Sequence, residues 1–326
     1  MKVLVTGKLL EPILARVRAE HEMVVNDAER PMERDALLDQ VGDKQGLLCM
    51  ISDRIDAELM DRAPNLTMIA NYGVGYDHID IPAATARGIM ISNTPGVLTD
   101  TTADLAFALI LAVARRVVEG DATTRSGQFR QWTPFHFLGT DVTGKTLGII
   151  GLGQIGAEVA RRGRAFRMPI LYHNRRRVSA ELEGELNATL VDREALLSRS
   201  DFISLHVSLN DQSRGLIGRA ELALMKPTAF LINVSRGPVV DELALVEALR
   251  DGTIAGAGLD VYEREPALAP GLAELRNVVL LPHVGSATIE ARTRMANLAV
   301  DNLLLGLAGS IPPNCLNCAD LGRAKA

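Results

Sequence analysis

The sequence has few cysteines, few aromatic residues and no excess of positive charge. It holds three cysteines, Cys49, Cys315 and Cys318, and this odd, small number argues against a disulfide framework. The formal net charge of -5 gives no general positive field that could hold nucleic acid or an anionic membrane. These absences favour a small molecule as the partner and argue against binding of nucleic acid.

Long apolar runs are also missing. The longest, from Leu105 to Ala114, is far shorter than the ~20 residues that a membrane-spanning helix needs. The N-terminus, MKVLVTGKLLEP, shows no signal-peptide pattern and instead predicts a strand that ends in a turn. We therefore expect a cytoplasmic protein without a membrane span.

The tail cysteines, Cys315 and Cys318, have CxxC spacing. A zinc site needs about four ligands, and no second CxxC, HxH or HExxH pair is present in the sequence. We therefore interpret the pair as tail thiols without an assigned function, and we expect no metal centre.

Short apolar runs alternate with helical stretches along the chain, which predicts parallel sheets covered by helices. The first series is KVLVTG, HEMVVN, GLLCMI, LTMIANYG and IMISNTPG. The second is KTLGIIG, PILYHN, ATLV, DFISLHV, AFLINVS, IAGAGLDVY and VVLLPHV. A long apolar helix between them is expected to begin at a capping box of Thr101 and Asp104. An amphipathic helix from about Thr288 to Gly306 follows the last strand.

The segment GLGQIG joins a buried strand to a helix and has GxGxxG spacing. Gly151 suits the tight turn, Gly153 leaves backbone bare for a pyrophosphate, and Gly156 lets the helix pack closely on the strand. The first amides of the helix and its dipole would receive the phosphates. The motif predicts a dinucleotide site that also includes Leu152, Gln154 and Ile155.

The end of the next strand carries the signal for the type of dinucleotide. Enzymes that use NAD usually have an acid there for the ribose 2′-hydroxyl, but this chain has Asn174, Arg175, Arg176 and Arg177. Arginines suit a 2′-phosphate, although a solvated basic helix start is the structural alternative. We predict NADP as the preferred cofactor, with NAD possible.

These patterns predict an α/β fold of two doubly wound parallel-sheet domains. Residues 98–287 are expected to form an NAD(P)-binding Rossmann domain. Residues 1–97 and the returning helix and tail at 288–326 are expected to form a flavodoxin-like substrate domain. We expect the cleft between the domains to close about hinges near Val97 and Ser286.

Three side chains suited to hydride-transfer chemistry follow predicted strands. Arg236 follows AFLINVS, His283 follows VVLLP, and Glu265 comes a short loop after GLDVY. Because the carboxyl ends of parallel strands line the ligand crevice, we expect these residues to share one cleft. An arginine, a histidine and a carboxylate can bind a 2-oxo acid, donate a proton and keep the donor charged. Taken singly, each of the three is better explained by a structural role.

Together the motifs resemble the D-isomer-specific 2-hydroxyacid dehydrogenases over nearly the whole chain. They are GLGQIG, NVSRGPVVDELAL, GAGLDVYEREP, LPHVGSAT, NYGVGYDHID and NTPGVLTDTTADLA. The resemblance implies reduction of a small 2-oxo acid to a D-2-hydroxy acid. It further implies that Arg236 binds substrate, that His283 donates the proton, and that Glu265 hydrogen-bonds His283.

The same resemblance implies further contacts. The backbone amides of Val74 and Gly75 would hold the substrate carboxylate, Asp260 would meet the nicotinamide carboxamide, and Thr102 would touch the cofactor. The remaining expected cofactor neighbours lie at strand ends or belong to the catalytic set: His206, Val234, Ser235, Gly285, Arg236 and His283.

Within the family, LTDTTADLAFALIL and WTPFHFLG most resemble the glyoxylate and hydroxypyruvate reductases, a group that includes 2-ketogluconate reductases. This implies a dimerisation arm whose Trp132 reaches the partner's substrate site, with a plain packing anchor as the alternative. We predict a homodimer. A nicotinamide-sensing binding protein with the same fold is the rival function, although every catalytic position is kept.

Overall fold

The computed structural model describes residues 1–322, which divide into two compact units. Unit 1 combines residues 1–98 with the chain from Thr288 onward, and unit 2 comprises residues 99–287. Each unit contains one sheet, and every strand pair within the two sheets is parallel. The predicted α/β class with two parallel-sheet domains is confirmed.

Unit 1 contains a sheet of five strands in the order β2-β1-β3-β4-β5. This order is that of a flavodoxin-like fold. The strands are β1 Lys2–Val5, β2 Glu22–Val25, β3 Gly46–Met50, β4 Met68–Tyr72 and β5 Met90–Ser92. Leu4, Leu47, Ile69 and Ile91 pair in one row across the sheet and are fully buried. The intervening helices are α1 Glu11–Arg18, α2 Arg34–Val41, α3 Ala57–Arg62 and α4 Ile81–Ala86.

Unit 2 contains a sheet of seven strands in the order β12-β11-β10-β9-β6-β7-β8. Its strands are β6 Leu147–Ile150, β7 Ile170–His173, β8 Ala188–Leu190, β9 Phe202–Leu205, β10 Phe230–Asn233, β11 Gly256–Leu259 and β12 Val278–Leu280. The chain runs outward from β6 to β8 and then returns to β9 on the other side of β6. Ligands of such sheets bind outside the strand ends at this reversal.

The helices of unit 2 cover both faces of its sheet. They are α5 Thr99–Ala114, α6 Val117–Arg125, α7 Gln154–Ala165, α8 Ala180–Leu186, α9 Arg193–Arg199, α10 Arg219–Leu224 and α11 Glu242–Arg250. The expected capping box of α5 is wrong, because the helix already begins at Thr99 and Thr101 lies inside it. Asp104 instead forms an ion pair with Arg162 of α7 at 2.6 Å.

The last helix, α12 Ile289–Leu307, belongs to unit 1 and packs on β3 and β4. It begins as predicted, with the Thr288 hydroxyl accepting the Ala291 N–H at 3.1 Å. Gly306 does not end the helix but lies against β4, where a Cβ would come 2.4 Å from the Met68 sulfur. This glycine therefore serves close packing of the helix on the sheet.

The tail beyond α12 runs beside β5. The Leu316 N–H donates to the Ile91 carbonyl at 2.7 Å, and the turn brings the Cα atoms of Cys315 and Cys318 within 5.7 Å. These cysteines form a disulfide, so the interpretation as free tail thiols is wrong. The pair is three residues apart, so the local turn of the tail is enough to bring the two side chains together. Within residues 1–322, no helix is both long enough and apolar enough to cross a membrane.

Candidate active site

The three glycines between β6 and α7 have different surroundings. Gly151 has a φ of +99°, and a Cβ there would lie 2.7 Å from the His206 carbonyl oxygen. At Gly156 a Cβ would lie 2.3 Å from the Gly151 carbonyl oxygen. At Gly153 a Cβ would meet nothing within 4 Å, so the backbone faces open space. A tight turn, close helix packing and bare backbone are the features that a pyrophosphate site requires.

Asn174, which follows β7, shapes this glycine loop. Its Oδ1 accepts the Leu152 N–H at 2.6 Å, and Leu152 is 2% exposed. The sequence assigned Asn174 only to the ribose end of the cofactor. The structure adds a positioning contact to the phosphate loop, which spans 22 residues of sequence and has no signal in the local pattern.

The three arginines after β7 differ in their partners. Arg177 forms an ion pair with Glu183 at 2.7 Å. Arg175 donates to the Gln212 Oε1 at 2.9 Å, and both Arg175 and Arg176 are exposed. In the part of the chain that the structure describes, neither of these two is paired with a carboxylate. Two guanidinium groups are thus left beside the loop that would hold the ribose.

His206 lies directly after β9 and is half-buried, with its ring Nδ1 inaccessible to solvent. Burial lowers its pKa to about 3, so the ring is neutral at physiological pH. Its Nε2 is 2.8 Å from the Ser204 hydroxyl. The contact with Gly151 places the His206 backbone against the glycine loop. No set of three or more His, Cys, Asp or Glu side chains among residues 1–322 could hold a metal ion.

Arg236 is presented by a turn that begins where β10 ends. The side chain of Asn233, the last residue of β10, accepts hydrogen bonds from the Ser235 N–H at 3.0 Å and hydroxyl at 2.8 Å. The same side chain donates to the Arg236 carbonyl at 2.9 Å. Asn233 therefore fixes the backbone from Val234 to Arg236. Sequence reasoning missed this residue, because an asparagine at a strand end is common in any turn.

His283 follows β12 in a left-handed backbone conformation, with a φ of +54°. This conformation is costly for a residue other than glycine, so the surrounding contacts must hold it. The Asp260 carboxylate accepts the N–H groups of Val284 and Gly285, each at 2.7 Å. The Thr102 hydroxyl donates to the Gly285 carbonyl at 3.0 Å. Asp260 and Thr102 thus fix the His283 loop, a role that the sequence did not predict.

Glu265 lies beside His283. Its Oε2 is 2.7 Å from the His283 Nδ1, and its Oε1 accepts the Tyr262 N–H at 3.0 Å. Partial burial raises the pKa of Glu265, but the hydrogen bond and charge of His283, the Tyr262 N–H and the charge of Arg236 outweigh it and lower this pKa. The side chains of His283 and Glu265 are 27% and 35% exposed, so a substrate can reach them.

The loop that carries Glu265 is locked against the segment that carries Arg236. A Cβ at Gly237 would lie 1.8 Å from the Tyr262 carbonyl carbon, so only glycine fits there. Glu242, in the first turn of α11, is 4% exposed and accepts the Glu263 N–H at 2.6 Å. Sequence reasoning missed Glu242, because an acid in a first helical turn is ordinarily a solvated charge.

In unit 1, Val74 and Gly75 lie in the loop after β4. Among the described residues, no protein acceptor receives a hydrogen bond from either of their N–H groups. Adjacent unused N–H groups can bind an anion. The loop therefore has the chemistry that the resemblance implied for the substrate carboxylate.

Trp132 lies in the segment that follows α6. It is 77% exposed and Phe135 is 85% exposed. The same part of unit 2 encloses an open cavity of about 870 Å³, whose lining includes Val118, Leu138 and Phe230. Two large aromatic side chains of this segment are therefore exposed to solvent.

The family profile "D-isomer specific 2-hydroxyacid dehydrogenase, NAD binding domain" matches residues 107–285. The chain belongs to this family. It is an NAD(P)-dependent oxidoreductase that acts on the pair of 2-hydroxy and 2-oxo acids.

Similar proteins agree in length and in fold. A protein named glyoxylate reductase from Thermococcus litoralis is 51% identical over 320 residues, which cover 97% of this chain and 96% of that protein. The crystal structure of a glyoxylate reductase from Paecilomyes thermophila is 35% identical, with a TM-score of 0.87, and the match covers 97% of this chain and 98% of that one.

A third similar protein was solved with ligands. The NADPH-dependent glyoxylate/hydroxypyruvate reductase of Sinorhizobium meliloti, in complex with NADP and malonate, is 35% identical to this chain. Its TM-score is 0.86, and the match covers 100% of this chain and 99% of that one.

Proposed function

We propose that the protein reduces glyoxylate, or a similarly small 2-oxo acid such as hydroxypyruvate, to the D-2-hydroxy acid with NADPH as the preferred hydride donor. The observation that carries the proposal is the contact of 2.7 Å between His283 and Glu265, with the charge of Arg236 acting on the same carboxylate. The names of the similar proteins support glyoxylate as the substrate. A 2-ketogluconate reductase is the alternative within the family.

The proton-donating atom follows from the hydrogen bonding of His283. Its Nδ1 is hydrogen-bonded to Glu265. The Nε2 is therefore the atom that can give a proton to the substrate oxygen. The ionised Glu265 holds the ring in place through this contact. Arg236 can bind the substrate and stabilise the negative charge that develops on its oxygen.

The glycine loop fits a dinucleotide. The open backbone at Gly153, the start of α7 and the tight turn at Gly151 form a cradle that a side chain would fill. When bound there, a reduced nicotinamide supplies the hydride that the carbonyl carbon of the substrate accepts. Unit 2 is then the cofactor domain. In unit 1, the Val74 and Gly75 amides can bind a substrate carboxylate.

Two features support NADPH over NADH. The residue after β7 is Asn174 rather than an acid, so no carboxylate repels a 2′-phosphate at that position. Arg175 and Arg176 are exposed, and no carboxylate within residues 1–322 engages them, so they can donate charge-assisted hydrogen bonds to the phosphate. The 2′-phosphate is the chemical group that these arginines suit.

We propose a homodimer in which the exposed arm around Trp132 and Phe135 contacts the second copy. The support is the exposure of these aromatic rings, because burial of large apolar side chains stabilises association. Trp132 then reaches the partner's substrate site or acts as a packing anchor. Sedimentation of the purified protein tests the dimer. The cytoplasmic location stays a prediction.

The proposed activity is tested with the purified protein. NADPH or NADH is mixed with glyoxylate, hydroxypyruvate or 2-ketogluconate, and the absorbance of the reduced cofactor is followed. We expect consumption of NADPH with glyoxylate or hydroxypyruvate and a D-2-hydroxy acid as product. Tight cofactor binding without turnover of any of the three acids would favour the nicotinamide-sensing protein instead.

A further inference from the structure

The loop after β4 has its carbonyl groups bound by two buried asparagine side chains. The Nδ2 of Asn71 donates to the carbonyls of Gly73 and Gly75, at 3.0 and 2.8 Å. The Nδ2 of Asn93 donates to the Val74 carbonyl at 2.9 Å. Asn71 is fully buried and Asn93 is 7% exposed. Side-chain amides from inside unit 1 therefore bind three successive carbonyl groups, and the Gly73 carbonyl also accepts the Thr94 N–H at 3.0 Å.

This arrangement decides where the loop's N–H groups point. In a planar trans peptide, the carbonyl of one residue and the N–H of the next point in opposite directions. Fixing the Gly73 carbonyl toward Asn71 thus turns the Val74 N–H away from Asn71. Fixing the Val74 carbonyl toward Asn93 likewise turns the Gly75 N–H away from Asn93. These are the two N–H groups for which the described residues provide no acceptor.

Asn93 is itself anchored to the core of unit 1. Its carbonyl accepts a hydrogen bond from the Nδ2 of Asn302, on α12, at 3.1 Å. Asn302 is fully buried. The orientation of the Val74 peptide is therefore tied to a packed helix and does not depend on the loop alone.

We propose that Asn71 and Asn93 are positioning residues that set the affinity for the substrate carboxylate by orienting the Val74 and Gly75 amides. This inference rests on the proposed function, in which those amides bind the carboxylate. Oriented N–H donors bind an anion without reorganising, which is why their fixation raises affinity. Neither asparagine needs to touch the substrate.

A purely structural role would give a different result. Removing a buried hydrogen bond lowers the stability of unit 1 whatever the bond holds, and it reduces the fraction of active protein. Loss of a positioning contact instead raises KM for the substrate and Ki for a carboxylate inhibitor in the folded protein. The same change leaves KM for the nicotinamide cofactor as it was.

Asn317 provides a matched control. It is fully buried in unit 1, and its Nδ2 donates to the Ile89 carbonyl and the Thr85 hydroxyl, each at 2.9 Å. Its Oδ1 accepts the Ile91 N–H at 3.0 Å. Asn317→Leu therefore removes a comparable set of buried hydrogen bonds that do not involve the loop after β4.

The experiment compares Asn71→Leu, Asn93→Leu and Asn317→Leu with the wild type. The measurements are kcat and KM for glyoxylate, Ki for oxamate, KM for the cofactor and the unfolding temperature. We expect KM for glyoxylate and Ki for oxamate to rise together about ten- to a hundredfold in the first two variants only. KM for the cofactor should change less than about twofold in all three.

Asn71→Ala and Asn93→Ala remove the donor to the carbonyls without adding apolar bulk, so they test the inference where a leucine variant does not fold. Unchanged KM and Ki in the folded variants would overturn the inference. An equal rise in Asn317→Leu would also overturn it, because the effect would then be general loss of structure. A wild type that reduces no 2-oxo acid would instead contradict the proposed function.

Discussion

The Nδ1 of His283 lies 2.7 Å from the Oε2 of Glu265, while the other carboxylate oxygen of Glu265 accepts the Tyr262 N–H. The Glu265 carboxylate thus connects His283 to the backbone of the loop that carries Glu265. This contact fixes the direction of the imidazole ring, and it leaves the Nε2 as the atom that can reach a substrate.

The His283→Ala variant should bind cofactor normally but lose catalysis. A positioned general acid contributes about a hundredfold or more to the rate, and alanine has no proton to give. We expect kcat for glyoxylate to fall by that factor while the dissociation constant of NADPH, measured by fluorescence, stays the same. A variant with unchanged turnover would show that another group donates the proton.

The Glu265→Gln variant should lose the acid limb of the pH profile. The hydrogen bond and charge of His283 lower the pKa of Glu265, so its carboxylate stays ionised in the neutral range. In the wild type, kcat/KM should hold until the pH falls through this lowered pKa, below the usual 4.5, and then decline as the carboxylate takes up a proton. Glutamine does not titrate, so kcat/KM of the variant should be lower throughout and show no such decline. Profiles of identical shape across about pH 3–9 would contradict this role of the carboxylate.

The cofactor preference should depend on Arg175 and not on Arg177. We expect kcat/KM to favour NADPH over NADH by about ten- to a hundredfold at matched ionic strength, since exposed ion pairs are screened by salt. Asn174→Asp with Arg175→Ala should reverse the order, because aspartate accepts from the ribose hydroxyls and can still accept the Leu152 N–H.

Arg177→Ala is the control for this experiment, because Arg177 is engaged by Glu183. In this variant, the ratio of kcat/KM for NADPH to kcat/KM for NADH should equal that of the wild type. NADH that performs as well as NADPH on the wild type would mean that Arg175 and Arg176 do not bind a 2′-phosphate.

Glu242 should matter as a hydrogen-bond acceptor rather than as a charge. Glu242→Gln keeps the acceptor for the Glu263 N–H, and burial already raises the pKa of Glu242. We expect near wild-type kcat for this variant. Glu242→Leu removes the acceptor of the Glu263 N–H and so frees the loop that carries Glu265.

The leucine variant should therefore lower kcat and move the acid limb of kcat/KM to higher pH, because a Glu265 that loses its contact with His283 loses the cause of its lowered pKa. Glu247→Gln serves as the control, because Glu247 is on the same helix but pairs with Arg219. A Glu242→Leu variant that loses stability without any change in the pH profile would limit Glu242 to a structural role.

The local sequence pattern predicted where the strands and the glycine turn lie in the chain. The alternation of apolar runs located every strand of both sheets, because a buried parallel strand requires a short continuous apolar segment. The spacing of Gly151, Gly153 and Gly156 likewise predicted the turn before α7. Local pattern failed at Thr101, because the backbone hydrogen bonds of α5 begin earlier than the best capping sequence.

The sequence by itself determined the fold class, the family and the residue types that can bind an anion or move a proton. Tertiary structure alone decided which distant groups hold those residues in place. Asp260 fixes the loop after His283 across 24 residues, and Asn302 fixes Asn93 across 209. Such partners leave no periodic signal, because a hydrogen bond depends on positions in space that only the packed sheets and helices define.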